Sequence, residues 1–253
     1  AAAKEAIANP NCGYFYRRNA KTFKQIPGTP IAYWASDAEV SAFETMQRIE
    51  DSIDIRLGMT TADNERFVRL WWEISHSKET FRATSAEEVI KWCPYNKGGD
   101  FRKWYGNRYF VVNWEKNGEE IRNIKDSSGR IRSTVPNEGF YFRECLTWSK
   151  ISSGAIAVRY LPGGSIFDVA GASGFGSNSS INRCIAFLNS EVALHMLGFL
   201  SPTLNFEGGH IRSLPLADVS ELSNKLVLEC IRKSSSDYDS FETSWDFKRH
   251  PLV

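Results

Sequence analysis

The chain has 253 residues, 42% of them hydrophobic and 24% charged, and a formal net charge of +1. That is enough for one large domain or two small ones of ordinary globular composition, with no global basic signal. No apolar run approaches the ~20 residues needed to span a bilayer, and no secretory core is visible near the start, so no membrane partner is expected. Charge is uneven along the chain. Asp37 to Glu73 holds nine acids and four bases, and Lys91 to Tyr160 holds thirteen bases and seven acids. A basic middle beside an acidic start suits a protein with one anion-facing surface. The five cysteines, Cys12, Cys93, Cys145, Cys184 and Cys230, are odd in number and far apart. With no Cys-x-x-Cys and no Cys/His cluster they offer no zinc-ligand spacing, and they read as the reduced thiols of a cytoplasmic protein.

In chain order, residues 9–30 are rich in Pro, Gly and Asn and read as an irregular lead-in. Ser36-Asp37 predicts a helix cap, with Val40, Phe43, Met46 and Ile49 at helical spacing to about Asp54. Residues 53–57 read as a short strand, 58–64 as a turn, and 67–74 as a strand with Val68, Leu70, Trp72 and Ile74 on one face. Residues 87–93 suggest a short helical turn. Asn117-Gly118 marks a tight turn, and residues 125–138 a long polar loop. Pro162-Gly163-Gly164 between two β-rich runs signals a hairpin, and residues 171–180 a Gly/Ser/Asn loop. Residues 181–200 read as helical with a break at Asn189-Ser190. Asp218-Val219-Ser220-Glu221 has capping-box spacing and opens a helix to about Lys233. The tail from Ser234 is polar, with Tyr238, Phe241, Trp245 and Phe247 inserted. Strands before about residue 175 and helices after it predict an α+β fold, an irregular β-rich part followed by a helical part. The expected divisions are a lead-in over 1–35, a main domain over 36–215, and a C-terminal helix and tail over 216–253 packing on it.

The central stretch, Lys97 to Trp114, concentrates the chemistry. Its first half mixes Lys97, Arg102, Lys103 and Arg108 with Phe101, Trp104 and Tyr105, and Gly98, Gly99 and Gly106 permit sharp turns. Cations neutralise phosphates while planar rings stack or wedge at bases. Its second half, 109–114, is an apolar β-rich run. The bland reading of the same residues is a surface loop whose aromatics pack back on the core.

Catalytic signatures are missing. Asp168 to Gly176 resembles the glycine-rich first motif of S-adenosylmethionine-dependent methyltransferases, but Ala172 replaces one of its glycines. The partner motif, Asp/Asn-Pro-Pro-aromatic, does not occur. His76, His195, His210 and His250 are scattered, and no serine has a nucleophile context. The expectation is a chain without its own cofactor, metal or catalytic residues.

Other stretches carry a family resemblance. Gly58-Met-Thr-Thr-Ala-Asp-Asn-Glu-Arg-Phe67 resembles the opening of target recognition domains in type IIG and TaqI-like adenine methyltransferases; Ala62 stands where many of those have glycine. Phe187-Leu-Asn-Ser190, Ser201-Pro-Thr-Leu-Asn205 and His210-Ile-Arg-Ser-Leu-Pro215 resemble the closing signature of the same domains. Ile26 to Trp34, Tyr95 to Gly99, Arg102 to Asn107 and Phe241 to Phe247 are most similar to the PglX family, the adenine-specific DNA methyltransferases of BREX phage-defence systems. The matches run in order over nearly the whole chain.

The resemblance implies a sequence-specific recognition region of an adenine-N6 methyltransferase, excised from its catalytic domain; the chain opens on Ala rather than Met. It implies double-stranded DNA, the N-terminal methyltransferase domain of the same polypeptide and other defence-system proteins as partners. S-adenosylmethionine would belong to the parent enzyme. Lys97, Arg102, Lys103, Asn107, Arg108 and Lys150 are the expected DNA contacts, and Thr60, Thr61 and Asn64 the expected junction with the catalytic domain. The alternatives are a separate restriction specificity subunit and a module that docks defence proteins without reading DNA.

Overall fold

The computed structural model describes residues 2–152, 154–201, 203, 205–218 and 221–253. Helix α1 (Ala2–Ala8) and an irregular segment lead to α2 (Asp37–Thr45). Then come β1 (Asp54–Arg56), α3 (Asn64–Phe67), β2 (Val68–Leu70), β3 (Trp92–Asn96), β4 (Phe110–Asn113) and α4 (Glu115–Arg122). Strands β5 (Cys145–Trp148), β6 (Val158–Leu161), β7 (Ile166–Phe167) and β8 (Ser173–Phe175) complete two sheets. The chain closes with α5 (Asn178–Leu188), α6 (Glu191–Leu200), α7 (Gly208–Arg212) and α8 (Glu221–Tyr238). The fold is α+β, as expected, with strands first and helices last. No single helix among the described residues is long and apolar enough to cross a membrane.

One sheet has the order β1-β8-β5-β6, antiparallel throughout. The other has the order β2-β4-β3-β7, with β3 and β7 parallel. Because side chains alternate across a strand, the first sheet feeds two cores. Leu146, Trp148 and Val158 pack with Ile185, Leu188, Leu197 and Ile211 of the helices. Cys145, Leu161 and Phe175 pack with Tyr95, Val112 and Phe167 of the second sheet and with Trp114 just beyond β4.

Several expected boundaries move. Ser36 and Glu39 do form a reciprocal cap on α2, and Val40 and Phe43 are buried, but the helix stops at Thr45 instead of Asp54. There Ile49 N donates to Leu214 O (3.0 Å) and Leu216 N to Gln47 O (2.7 Å), so pairing with a distant segment replaces further helix. The strand expected over 67–74 yields only β2, then a single 3-10 turn. Residues 92–93, expected in a helical turn, begin β3.

The two runs around Pro162-Gly163-Gly164 lie in different sheets, so the hairpin is a crossover. Gly164 N donates to Phe142 O, and Phe142 N to Ser165 O, both at 2.9 Å, which leads the chain across. The loop expected over 171–180 contains β8, a central strand. The break between α5 and α6 falls at Asn189-Ser190, as expected, and bends the pair by 78°. α8 runs past Lys233 to Tyr238. The capping box over 218–221 includes Val219 and Ser220, which lie outside the described residues.

Candidate nucleic-acid interface

The basic loop begins where β3 is pinned. Tyr95 Oη donates to Asp168 Oδ2 at 2.6 Å, and burial and then the Asp168 charge push that phenol well up. Asn96 Nδ2 donates to Thr147 Oγ1 (2.7 Å) and Gly171 O (3.1 Å), tying the second sheet to the first. Gly98 and Gly99 turn at φ +80° and +124°. Trp104 then takes the free edge of β6: its N–H donates to Val158 O (2.9 Å) and its carbonyl accepts from Tyr160 N (2.8 Å). The C-terminal tail supplies a third anchor. Arg108 N donates to Tyr238 Oη (3.0 Å). The Arg108 guanidinium bonds Tyr105 Oη, pairs with Asp246 (3.4 Å), and lies 4.5 Å from the Trp245 ring centroid. Trp245 stacks on Phe81 at 4.7 Å, and Trp71 Nε1 donates to Thr243 O at 2.8 Å.

The predicted contact residues divide by environment. Asn107 and Arg108 are 4% and 8% exposed. Asn107 takes φ +57° and its amide donates to Asp100 O (2.8 Å), so in this arrangement it braces the loop. Lys103 is partly exposed and caps α5 through Asn189 O (2.9 Å). Lys97 lies 3.9 Å from Asp168, Arg102 lies 3.9 Å from Asp237 and over the Tyr238 ring, and Lys150 pairs with Glu207 at 3.0 Å. With Arg108, four of the six therefore have a carboxylate of this chain within 4.0 Å. Phe101 is exposed at the loop tip, whereas Tyr105 is buried against Tyr238. In the junction set, Thr60 Oγ1 bonds Thr134 Oγ1 (2.8 Å) and buried Thr61 Oγ1 donates to Asn64 Oδ1 (2.7 Å), while Asn64 shares a shallow cleft with Lys97 of the loop.

Two open clefts flank the loop. One, of about 440 Å³, is lined by Arg102, Tyr109, Tyr238, Phe241 and His250. The other, of about 490 Å³, is lined by Arg82, Tyr105, Arg108, Gly163 and Asp239. The residues 168–176 do not fit an adenosylmethionine site. A Cβ on Gly171 would collide with the Asn96 carbonyl, and one on Gly174 would lie 2.8 Å from Ile53 Cδ1. Their glycines are used up by sheet packing, with no cradle left for a nucleoside.

Three contributors escaped the sequence reading. Arg82 salt-bridges Asp246 at 2.9 Å, Phe81 stacks on the tail, and Arg159 lies buried beneath the loop. Separations of 138 and 164 residues joining Arg108 and Arg82 to Asp246 leave no local pattern to find. The lead-in also carried an unused signal: residues 6–36 contain Arg17, Arg18, Lys21 and Lys24 and no acid, with Tyr14, Tyr16, Tyr33 and Trp34 exposed.

No protein-family model matches the chain. Over 258 residues and 98% of its length it is 43% identical to the adenine-specific methyltransferase PglX of Lacticaseibacillus casei (strain Zhang). Over 91% of its length it is 34% identical to the adenine-specific methyltransferase BrxX of Escherichia coli O9:H4 (strain HS). The resemblance read from the motifs is thus met across nearly the whole chain. The chain spans 21% and 18% of the length of these two relatives.

Proposed function

We propose that this stretch, similar along its length to part of PglX-type adenine-specific methyltransferases, is the target recognition region of such an enzyme in phage defence. It grips duplex DNA and reads base edges. An N-terminal catalytic domain of the same polypeptide holds S-adenosylmethionine and receives the flipped adenine, since a methyltransferase cannot reach its target atom inside the stack. The observation that carries the reading is the mounting of the basic loop. It is tied to both sheets and to the tail, and it presents Phe101, Arg102 and Lys103 at its rim. A reader of base edges needs such rigidity, because hydrogen-bond readout fails when the donors wander.

Arg102 is the proposed base reader, because its planar fork matches the guanine O6/N7 pair. Its pairing with Asp237 is exposed and loose, so a nucleic-acid acceptor can replace that carboxylate at little cost. Lys97, Lys103 and Lys150 are proposed phosphate contacts. Asn107 and Arg108 act from beneath by fixing the loop. Thr60 and Asn64 are proposed to face the catalytic domain, with the buried Thr61 positioning Asn64 from behind.

The test is duplex binding as a function of salt. The three phosphate contacts give a log–log slope of roughly −3, and affinity unchanged between about 50 and 200 mM salt would refute the reading. Sequencing of methylated sites then separates the roles. Arg102→Ala relaxes one motif position, worth roughly 1–3 kcal/mol of discrimination, whereas Lys97→Ala lowers occupancy without changing the motif. A second reading, a docking module for defence proteins, draws on the exposed aromatics of the lead-in and predicts neither effect.

A further inference from the structure

Arg159 is 1% exposed, yet among the described residues no carboxylate lies within 4.0 Å of it. Its Nη1 donates to the carbonyls of Arg102 (3.3 Å) and Ala157 (3.4 Å), and its Nη2 to Ser149 Oγ (3.3 Å). Its Nε has no partner. Each of these bonds is long, and a buried cation without a counter-charge is unfavourable relative to a paired one. Burial, and then the like charge of Arg102, depress its pKa to about 10.

The position of this charge is specific. Arg159 pairs in register with Thr147 across β5 and β6, and Thr147 with Ser173 across β5 and β8, forming a polar row on the face turned toward the second sheet. The loop crosses the end of that row. Trp104 bridges to Arg159 itself, Arg102 offers its carbonyl to it, and Ser149 Oγ donates onward to Gly99 O at 2.7 Å. One guanidinium thus touches the loop on both sides of Phe101, directly at Arg102 and through Ser149 at Gly99.

We propose that Arg159 is a positioning residue for DNA: a buried, uncompensated positive charge beneath the loop whose counter-charge is a backbone phosphate of the bound duplex. This deepens, and rests on, the DNA-recognition reading above. The guanidinium holds the loop backbone in place, and its field acts through the low-dielectric interior, where charges interact more strongly than in water. The cost of burying it in the free protein is recovered when phosphate docks, so stability is given up in exchange for affinity.

The test uses the full-length protein and a labelled duplex. Arg159→Met keeps the volume and removes the charge. Its thermal midpoint should stay close to that of the wild type, since relief of an uncompensated buried charge offsets the loss of three long hydrogen bonds. Its duplex affinity should fall about tenfold, with a shallower salt slope, by up to about one. Arg159→Gln removes the charge but keeps a side-chain donor for the Arg102 and Ala157 carbonyls, and should show the same shallower slope. A Met variant that binds with wild-type affinity and slope overturns the proposal. If the Met variant does not fold, the Gln variant decides: a shallower slope upholds the proposal and a wild-type slope overturns it. Wild-type protein that binds no duplex is a different failure, because it removes the recognition reading and this inference with it.

Discussion

Ala62 adopts φ +62°, a left-handed conformation that costs an L-residue roughly 1–2 kcal/mol. This explains why glycine fits the corresponding place in the Gly58 to Phe67 motif. Ala62→Gly should therefore stabilise the protein by about 1 kcal/mol once the larger unfolded-state entropy of glycine is subtracted. By calorimetry that is a rise in melting temperature of roughly 2–4 °C. Gly58 is the opposite case. A Cβ there would sit on the Phe167 carbonyl, which accepts from Met59 N at 2.9 Å. Gly58→Ala must break the seam between the segment after β1 and β7, and soluble expression should report its loss. The motif was legible in the sequence, but the reason for its glycine was not, because the obstructing carbonyl is 109 residues away.

At the scale of elements, the capping box of α2 was readable because all of its parts lie within four residues. It also carries a pH dependence. Partial burial raises the Glu39 carboxyl, but hydrogen bonds from the Ser36 N–H and hydroxyl and the neighbouring His195 outweigh this and hold it below its ordinary 4.5. A lowered carboxyl stabilises the fold above its unfolded value and loses that contribution as pH falls through the folded value. Glu39→Gln can still accept at N3 but loses its charge at the helix N-terminus and beside His195, and should lower the melting temperature at neutral pH by about 0.3–1 kcal/mol of stability. The difference from wild type should vanish in acid, and scans between about pH 3 and 6 would check it. Strand β8 was unreadable for the converse reason. Gly174 gives no apolar alternation, since its side-chain space is filled by Leu146 of β5 and by Ile53 just before β1. The Pro162-Gly163-Gly164 turn was visible, but its destination is set by the Phe142 backbone, outside any local window.

At the scale of the whole molecule, the tail and the central loop form one unit. Tyr238, Thr243, Trp245 and Asp246 hold Trp71, Phe81, Arg82 and Arg108. Trp245→Ala removes a ring stack and a cation–π contact, together about 1–3 kcal/mol. Amide exchange should quicken at residues 105–109 and 81–84, with α5 left protected. Equal protection of the loop in the variant and the wild type would show that the two sheets suffice to hold it. The acid-poor lead-in and the basic loop were both legible as composition, but the carboxylates that face the loop cations could be found only in three dimensions.

The tail's grip on the loop also sets an order of events during synthesis. Residues 97–108 leave the ribosome some 130 residues before Tyr238 does, and chains move out at about 5–20 residues per second. For several seconds the nascent loop has its cations and rings but lacks the strut that Tyr238 and Trp245 provide. Over that interval it is a basic, aromatic segment without its C-terminal anchor. The contacts of the tail with the loop are complete only after residue 246 has emerged.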